Sequence, residues 1–193
     1  MIVFARHGQT VPNREGRLLG RNDAPLTEHG RSQADAMGAA LAATGSFTVV
    51  TSPLERAADT AATIAAALGT TVAPDERLIE LDYGDWDGRA HHEIGPDAWS
   101  TWRSDPSFAP PGGESLDDVR GRVVSFAEEW LSRETPVVAV SHVSPIKAAF
   151  AWALGVGDGV TFRSFLDLAS FTRVGPGPTL LSFNETGHLH GRS

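Results

Sequence analysis

The sequence contains no cysteine, which excludes disulfide bonds, thiolate metal sites and cysteine nucleophiles. It also lacks an uninterrupted apolar run of about 18 residues, the length typical of a membrane-spanning helix, so no membrane association is expected. The first residues show no basic segment followed by a long apolar run, and no signal peptide is predicted. Together these absences favour a cytoplasmic protein.

Positive charge is scarce as well. The net charge is −8, with 24 acidic residues against 16 lysine and arginine residues. A broad nucleic-acid surface needs clustered cations that displace counterions, so no nucleic-acid partner is expected. A small anion could still bind in a pocket where a few cations converge.

Strand and helix signals alternate along the chain. Apolar or β-branched runs predict strands at 2–5, 48–51, 72, 78–81, 136–141, 170–174 and 179–184. Helices are expected to begin near Thr27, Ser52-Pro53, Ser115 and Pro145. This alternation predicts an α/β three-layer sandwich, with a largely parallel central sheet flanked by helices. The length of 193 residues fits a single domain over 1–193.

Residues 84–113 have a different composition, rich in tryptophan and closed by a Pro-Pro-Gly-Gly break. We interpret this segment as a small cap-like insertion that lies over the edge of the sheet. Trp99 and Trp102, three positions apart, are expected to pack the insertion onto the body of the protein. Only the last few residues of the chain resemble a disordered tail.

Cationic and histidine side chains follow three of the predicted strands. Arg6 and His7 follow the first strand, Arg56 comes shortly after the second, and His142 directly follows the strand at 136–141. Ligands of open α/β sheets bind beyond the carboxyl ends of parallel strands, where helix N-termini favour an anion. The arrangement therefore predicts a site for a dianionic group.

An ordered set of motifs accompanies these residues, beginning with Arg6-His7-Gly8-Gln9-Thr10 and Asn13. It continues with GRNDAPLT at 20–27, TSPLERA at 51–57, LIELDYGDWDG at 78–88, PGGES at 111–115, SH at 141–142 and NETGHL at 184–189. The set covers nearly the whole chain and resembles the histidine phosphatase superfamily. The resemblance implies a phosphoglycerate mutase-like fold and a phosphatase similar to the broad-specificity and α-ribazole branch.

The resemblance implies a catalytic role for each strand-end residue. His7 would be the nucleophile and would form a phosphohistidine intermediate. Arg6, Arg56 and His142 would clamp the non-bridging oxygens, over which charge spreads in the transition state. Glu80 would protonate the leaving alkoxide and then activate water, which requires a raised pKa.

Glu80 has a competitor for the acid role. If 78–81 is a strand that continues, Asp82 lies on the same face as Glu80, because side chains alternate along a strand. Asp82 could therefore share or replace the acid role.

Substrate contacts are assigned to Asn13, Gly20 and Val143. Family members usually have glycines after the second histidine, whereas this chain has Val143-Ser144-Pro145, a difference expected to narrow the pocket. No metal and no cofactor are predicted, because cationic side chains would already neutralise the phosphoryl group.

Three functions remain in competition. The first is a metal-independent phosphomonoesterase acting on small-molecule phosphate esters. The second is a phosphoglycerate mutase, disfavoured because the region after Glu80 is short and carries only Arg89 and Arg103 as cations up to Gly113. The third is a non-catalytic member that binds phosphate or a protein. The physiological substrate stays open, and an exposed apolar stripe could form a homodimer.

Overall fold

A computed structural model of the protein describes residues 1–133 and 135–190. The strands are β1 (Ile2–Arg6), β2 (Thr48–Thr51), β3 (Val72–Pro74), β4 (Val137–Ser141), β5 (Phe171–Gly175) and β6 (Thr179–Glu185). The helices are α1 (Val11–Arg14), α2 (Glu28–Ala42), α3 (Glu55–Leu68), α4 (Pro96–Ser104), α5 (Leu116–Leu131) and α6 (Val143–Leu154). The expected disordered tail falls mostly on 191–193, outside the described residues.

The six strands form one sheet in the order β3-β2-β4-β1-β5-β6. Strand β4 pairs in parallel with both β1 and β2, and β2 pairs in parallel with β3. Strands β5 and β6 complete the sheet as an antiparallel edge. The predicted largely parallel sheet is confirmed, and it brings the carboxyl ends of β1, β4 and β2 side by side.

Helices cover both faces of the sheet, as its alternating side chains require. On β1, Ile2 and Phe4 pack in a cluster with residues of α5 and α6. Val3 and Ala5 pack on the opposite face with residues of α2 and α3. Since strand side chains alternate between faces, a strand with both faces covered is apolar throughout. The predicted arrangement of a sheet between two helical layers is confirmed.

Two of the predicted helix starts agree with the capping geometry. The Thr27 hydroxyl accepts the Gly30 N–H at the start of α2, and Ser115 and Asp118 form a reciprocal capping box at the start of α5. Helix α6 begins at Val143, earlier than the predicted Pro145, directly after His142. Its first turn therefore lies at the end of β4.

The helix predicted to begin at Ser52-Pro53 starts instead at Glu55, and that prediction was wrong. The N-cap is Leu54, which makes no side-chain cap hydrogen bond. The Ser52 hydroxyl lies 2.7 Å from Nε2 of His142 and does not cap the helix.

The strand predicted at 78–81 is also absent from the described chain. Residues 76–78 form a 3-10 turn, and the chain then runs on outside the sheet. The Leu81 N–H donates to the side-chain carboxylate of Glu80 at 2.8 Å, and not to a neighbouring strand. Because 78–81 is not a strand, side-chain alternation does not place Glu80 and Asp82 on the same face.

Residues 84–113 contain two 3-10 turns and helix α4. Their aromatic rings form a cluster in which Trp86, Trp99 and Trp102 lie 5.2–6.2 Å apart, centroid to centroid. Trp102 also meets Phe162, outside the segment, edge to face at 5.2 Å. Trp102 therefore packs the segment onto the body as expected, whereas the ring contacts of Trp99 lie within the segment.

No helix within the described ranges is both long enough and apolar enough to span a membrane.

Candidate active site

His7 lies immediately after β1, at the carboxyl end of the parallel sheet. Its backbone N–H continues the ladder by donating to the Ser141 carbonyl at 3.1 Å, and the side chain is 3% exposed. The ring Nδ1 lies 2.7 Å from the Gly8 carbonyl oxygen. Because a carbonyl only accepts, Nδ1 must carry the proton, and in the neutral ring Nε2 keeps its lone pair. This geometry suits the predicted role of His7 as a nucleophile.

The surroundings of His7 keep its ring neutral. Burial lowers the pKa of His7 well below its ordinary value, and the nearby cations Arg56 and Arg6 lower it further. The hydrogen bond to the Gly8 carbonyl opposes this shift but does not overcome it. A neutral imidazole is the form that can attack phosphorus.

Arg56 is fully buried in the first turn of α3. Its guanidinium donates to the Gly20 carbonyl at 2.6 Å and to the Asn22 carbonyl at 3.0 Å. The carboxylate of Asp23 lies 3.9 Å away, at the limit of an ion pair. These contacts fix the orientation of the guanidinium without neutralising it through a close carboxylate.

A second carboxylate fixes the loop that holds Arg56. Asp87 accepts the backbone N–H groups of Gly20 and Asn22, each at 2.9 Å. Both backbone polar groups of Gly20 are therefore engaged within the protein. A Cβ at Gly20 would also come within 2.9 Å of the Leu81 carbonyl oxygen, so this close approach requires glycine. A direct substrate contact by Gly20 stays a prediction, whereas its observed contacts support Arg56.

Arg6 and His142 are the other two predicted phosphate-binding residues. The Arg6 guanidinium donates to the Leu166 carbonyl at 2.5 Å. His142 is fully buried at the start of α6, with its ring 5.0 Å from that of His7. Burial lowers the pKa of His142 well below its ordinary value, and Arg56 and His7 add to the effect. His142 therefore acts as a neutral hydrogen-bonding group.

Three buried nitrogens of this group have no hydrogen-bond partner among the described residues. They are Nε of Arg6, Nε of Arg56 and Nδ1 of His142. Where the Ser52 hydroxyl donates to Nε2 of His142, its Nδ1 carries a proton and is a donor too. Buried donors without partners are costly, and such donors are expected to be satisfied by a ligand. Two guanidinium groups and a neutral imidazole suit an anion.

Glu80 is buried beside this group, with 2% exposure. Its Oε1 accepts the backbone N–H groups of Leu81 at 2.8 Å and of Ser144 at 3.2 Å. Burial raises the pKa of Glu80, although the Leu81 N–H and the Arg56 cation oppose the rise. A carboxyl group with a raised pKa holds its proton more strongly than an ordinary glutamate, as a general acid requires.

Asp82, the other acid candidate, is turned toward the protein surface. Its carboxylate pairs with Arg21 at 3.3 Å and accepts the Gly84 N–H at 2.9 Å. The side chain is 30% exposed. These contacts tie the 82–84 turn to the loop at Arg21, and they favour Glu80 for the acid role.

Asn13 and Val143 border two different cavities. The Asn13 carbonyl oxygen accepts from the Thr10 N–H and hydroxyl, which leaves its amide NH2 end for a ligand. Asn13 and Arg6 line a cavity of about 540 Å³, together with the exposed Phe165. Val143 lines a smaller cavity of about 170 Å³ next to Ser144.

The predicted catalytic residues His7, Arg56, Glu80 and His142 are buried, Arg6 is partly buried, and they lie close enough for their charges to act on one another. Sequence reasoning treated Ser52 only as a helix N-cap and Asp87 only as a carboxylate near Glu80, and it assigned no role to Lys147, which lines the smaller cavity. Asp87 and Ser52 stand inside the motifs, but only the folded chain brings their side chains to Gly20 and His142. No cluster of three or more metal-binding side chains occurs in 1–133 or 135–190, and metal independence stays a prediction.

Comparison with known proteins identifies the family. Residues 2–186 match the profile of the histidine phosphatase superfamily (branch 1). A bifunctional protein of Mycobacterium tuberculosis is 40% identical over 199 aligned positions, which cover 97% of this chain and 54% of that protein. The chain thus spans about half the length of that relative.

A second relative and a solved structure have matching lengths. The glucosyl-3-phosphoglycerate phosphatase of Mycolicibacterium vanbaalenii is 37% identical, covering 92% of this chain and 87% of that protein. The structure of a mycobacterial glucosyl-3-phosphoglycerate phosphatase complexed with VO3 superposes with a TM-score of 0.87 at 34% identity, covering 96% of this chain and 98% of that one. The chain belongs to the histidine phosphatase superfamily.

Proposed function

We propose that this protein is a phosphomonoesterase that hydrolyses small-molecule phosphate esters through a phosphohistidine on His7. The observation that carries the proposal is the bond from Nδ1 of His7 to the Gly8 carbonyl, which directs the lone pair to Nε2. The unpartnered buried nitrogens of Arg6, Arg56 and His142 supply the matching anion site. The relatives named as phosphatases support the same reaction class.

The proposed reaction has two steps. In the first, Nε2 of His7 attacks phosphorus, the ester P–O bond breaks, and Glu80 gives its proton to the leaving alkoxide oxygen. In the second, Glu80 as carboxylate takes a proton from water, whose oxygen attacks the phosphohistidine. The P–N bond electrons return to Nε2, and inorganic phosphate leaves.

The anion-binding groups act mainly on the transition state. Arg6 and Arg56 hold the phosphoryl oxygens by charge, and His142 adds a hydrogen bond oriented by Ser52. Asn13 contributes a neutral donor at the larger cavity. Because these groups already neutralise the phosphoryl charge, the proposed reaction requires no metal.

We also propose that residues 84–113 form a cap-like wall of the site within one domain. The segment contributes Trp99 and Trp102 to the smaller cavity. The substrate named for the relatives, glucosyl-3-phosphoglycerate, is the first physiological candidate. The cytoplasmic location and a homodimer stay predictions from the sequence.

The decisive test is phosphate release from p-nitrophenyl phosphate in EDTA by wild type, His7→Ala and a control, His29→Ala. His29 is exposed, so its loss should leave activity unchanged. We expect His7→Ala to lose at least about 10³-fold in kcat/KM. Activity that survives in His7→Ala would exclude His7 as the nucleophile. Interconversion of 3- and 2-phosphoglycerate without phosphate release would favour the mutase.

A further inference from the structure

Lys147 is the only lysine among the 16 lysine and arginine residues of the chain. It lies on α6, the helix that begins directly after His142, and it is 9% exposed. Every other cationic side chain of the protein apart from histidine is an arginine. The position of this single ammonium group, buried beside the candidate site, suggests that it has a chemical role there.

The ammonium of Lys147 is held in place but is not neutralised. It donates to the Thr161 carbonyl at 2.9 Å and to the Ser164 carbonyl at 2.6 Å. An ammonium has three N–H donors, so these two contacts leave one. No carboxylate in the described part of the chain lies within ion-pair distance of it. Buried charges are normally paired, and Lys147 is therefore short of an anion.

Lys147 is also electrostatically close to the reacting groups. Burial lowers the pKa of Lys147 to about 8, with a further lowering by Arg6 and an opposing effect of Glu80. The positions of Arg6 and Glu80 thus influence this ammonium.

The cavity at Lys147 has a volume of about 170 Å³. Ser144 lines it, and the Ser144 N–H is the group that donates to Glu80. Since Glu80 must lie next to the leaving oxygen in the proposed reaction, the cavity lies on the leaving-group side. Trp102 lines the same cavity, and its buried indole N–H has no partner within the described residues.

We propose that this cavity binds the leaving group of the substrate and that Lys147 pairs with a carboxylate on it. The inference rests on the proposed function and names its substrate class, phosphate monoesters of hydroxy acids. One ammonium and the neutral donor of Trp102 match a single negative charge. A second phosphate, which is dianionic, would call for more cations, as at Arg6 and Arg56.

The test compares 3-phosphoglycerate with glycerol 3-phosphate, which carries a hydroxymethyl group in place of the carboxylate. We expect wild type to favour 3-phosphoglycerate by at least about tenfold in kcat/KM for phosphate release. Lys147→Met should remove this preference and leave kcat/KM for glycerol 3-phosphate within about threefold. The control Arg163→Met removes an exposed cation from the neighbouring segment and should keep the preference.

The competing explanation is that Lys147 only fastens the 161–164 segment. In that case Lys147→Met lowers kcat/KM for both esters equally, and this result would overturn the proposal. Equal use of the two esters by wild type would overturn it as well. If wild type releases phosphate from neither ester nor from p-nitrophenyl phosphate, the proposed function fails. The carboxylate subsite is then tested by ligand binding to Lys147 alone.

Binding is measured on the wild-type protein by amine labelling. Reductive methylation of a single lysine gives one internal labelled peptide, separable from the N-terminal one by mass. We expect D-glycerate, which has the carboxylate but no phosphate, to slow labelling of Lys147, whereas glycerol should not. Equal labelling with D-glycerate and with glycerol would overturn the subsite whether or not Lys147→Met folds.

Discussion

The reaction core and the 84–113 segment are built by different physical means. In the core, the side chains of His7, Arg6 and Arg56 are each bonded to a backbone carbonyl. In the segment, Trp86 and Trp99 lie in a cluster of tilted and edge-to-face rings. Directional hydrogen bonds select one orientation for a reacting atom, whereas aromatic packing fixes a shape that several arrangements could fill. The comparison predicts that changes to the core side chains alter chemistry, whereas removal of a packing ring such as that of Trp86 alters mainly stability.

After the loss of the His7 nucleophile, the largest expected effect on catalysis is that of Glu80→Gln. The amide keeps the shape and can still accept the Ser144 N–H, but it has no proton to give to the leaving oxygen. We expect kcat to fall by about 10²–10⁴-fold on an alkyl phosphate. Asp82→Asn is the matched control and should stay within about threefold. A larger loss in Asp82→Asn than in Glu80→Gln would transfer the acid role to Asp82.

The pH profile of kcat/KM should show both perturbed groups of the core. Glu80 must be protonated for the first step, so activity should fall as pH rises through its raised pKa. His7 must be neutral, so activity should fall at acid pH only well below the ordinary histidine pKa. Each limb changes the rate at most about tenfold per pH unit. An acid limb at the ordinary histidine pKa, after correction for substrate ionisation, would contradict the account of His7.

Asp87→Asn tests whether the core depends on its supporting loop. An asparagine side chain can accept only through its single oxygen, so one of the N–H groups of Gly20 and Asn22 would lose its partner. We expect phosphate or vanadate to bind about tenfold more weakly, because Arg56 is held by the carbonyls of the same two residues.

The matched control for that loop is Asp85→Asn, at an exposed position in the same turn. It should leave the dissociation constant of phosphate unchanged. If Asp87→Asn lowers stability but keeps phosphate affinity, Asp87 is structural and does not position Arg56.

The sequence predicted the strand ends better than it predicted the segments between them. The apolar run of β4 is typical of a buried strand, and His142 lies directly after it, as predicted. His7 lies directly after β1, which pairs with β4. The start of α3 was missed because the Ser52 hydroxyl bonds to His142, a contact between residues distant in sequence. The predicted strand at 78–81 is absent because the Glu80 carboxylate takes the N–H of Leu81, which a strand would need, and it also accepts the N–H of Ser144, which is distant in sequence. Local patterns do not reveal such contacts between residues far apart in the chain.

Helix α4, over Pro96–Ser104, had no counterpart among the predicted helices, because its start carries no side-chain cap. Gly95 precedes the first turn, and Pro96 occupies it. The apolar spacing of Trp99 and Trp102 did indicate packing, but it did not reveal Phe162, the partner that Trp102 meets far along the chain. Aromatic clusters of this kind are defined by tertiary contacts.

The smallest expected effect on chemistry is that of Trp86→Ala, which tests the other half of the comparison. Trp86 is 6% exposed and packs against Trp102 and Phe108, so its removal should lower the free energy of unfolding by about 3–5 kcal/mol. Hydrolysis of p-nitrophenyl phosphate by the folded fraction should stay within about threefold, because no hydrogen bond of the core passes through this ring. Urea unfolding and the rate at low temperature measure the two quantities separately. A large loss of rate with little loss of stability would mean that the aromatic cluster positions the reacting groups, and the distinction between the two regions would fail.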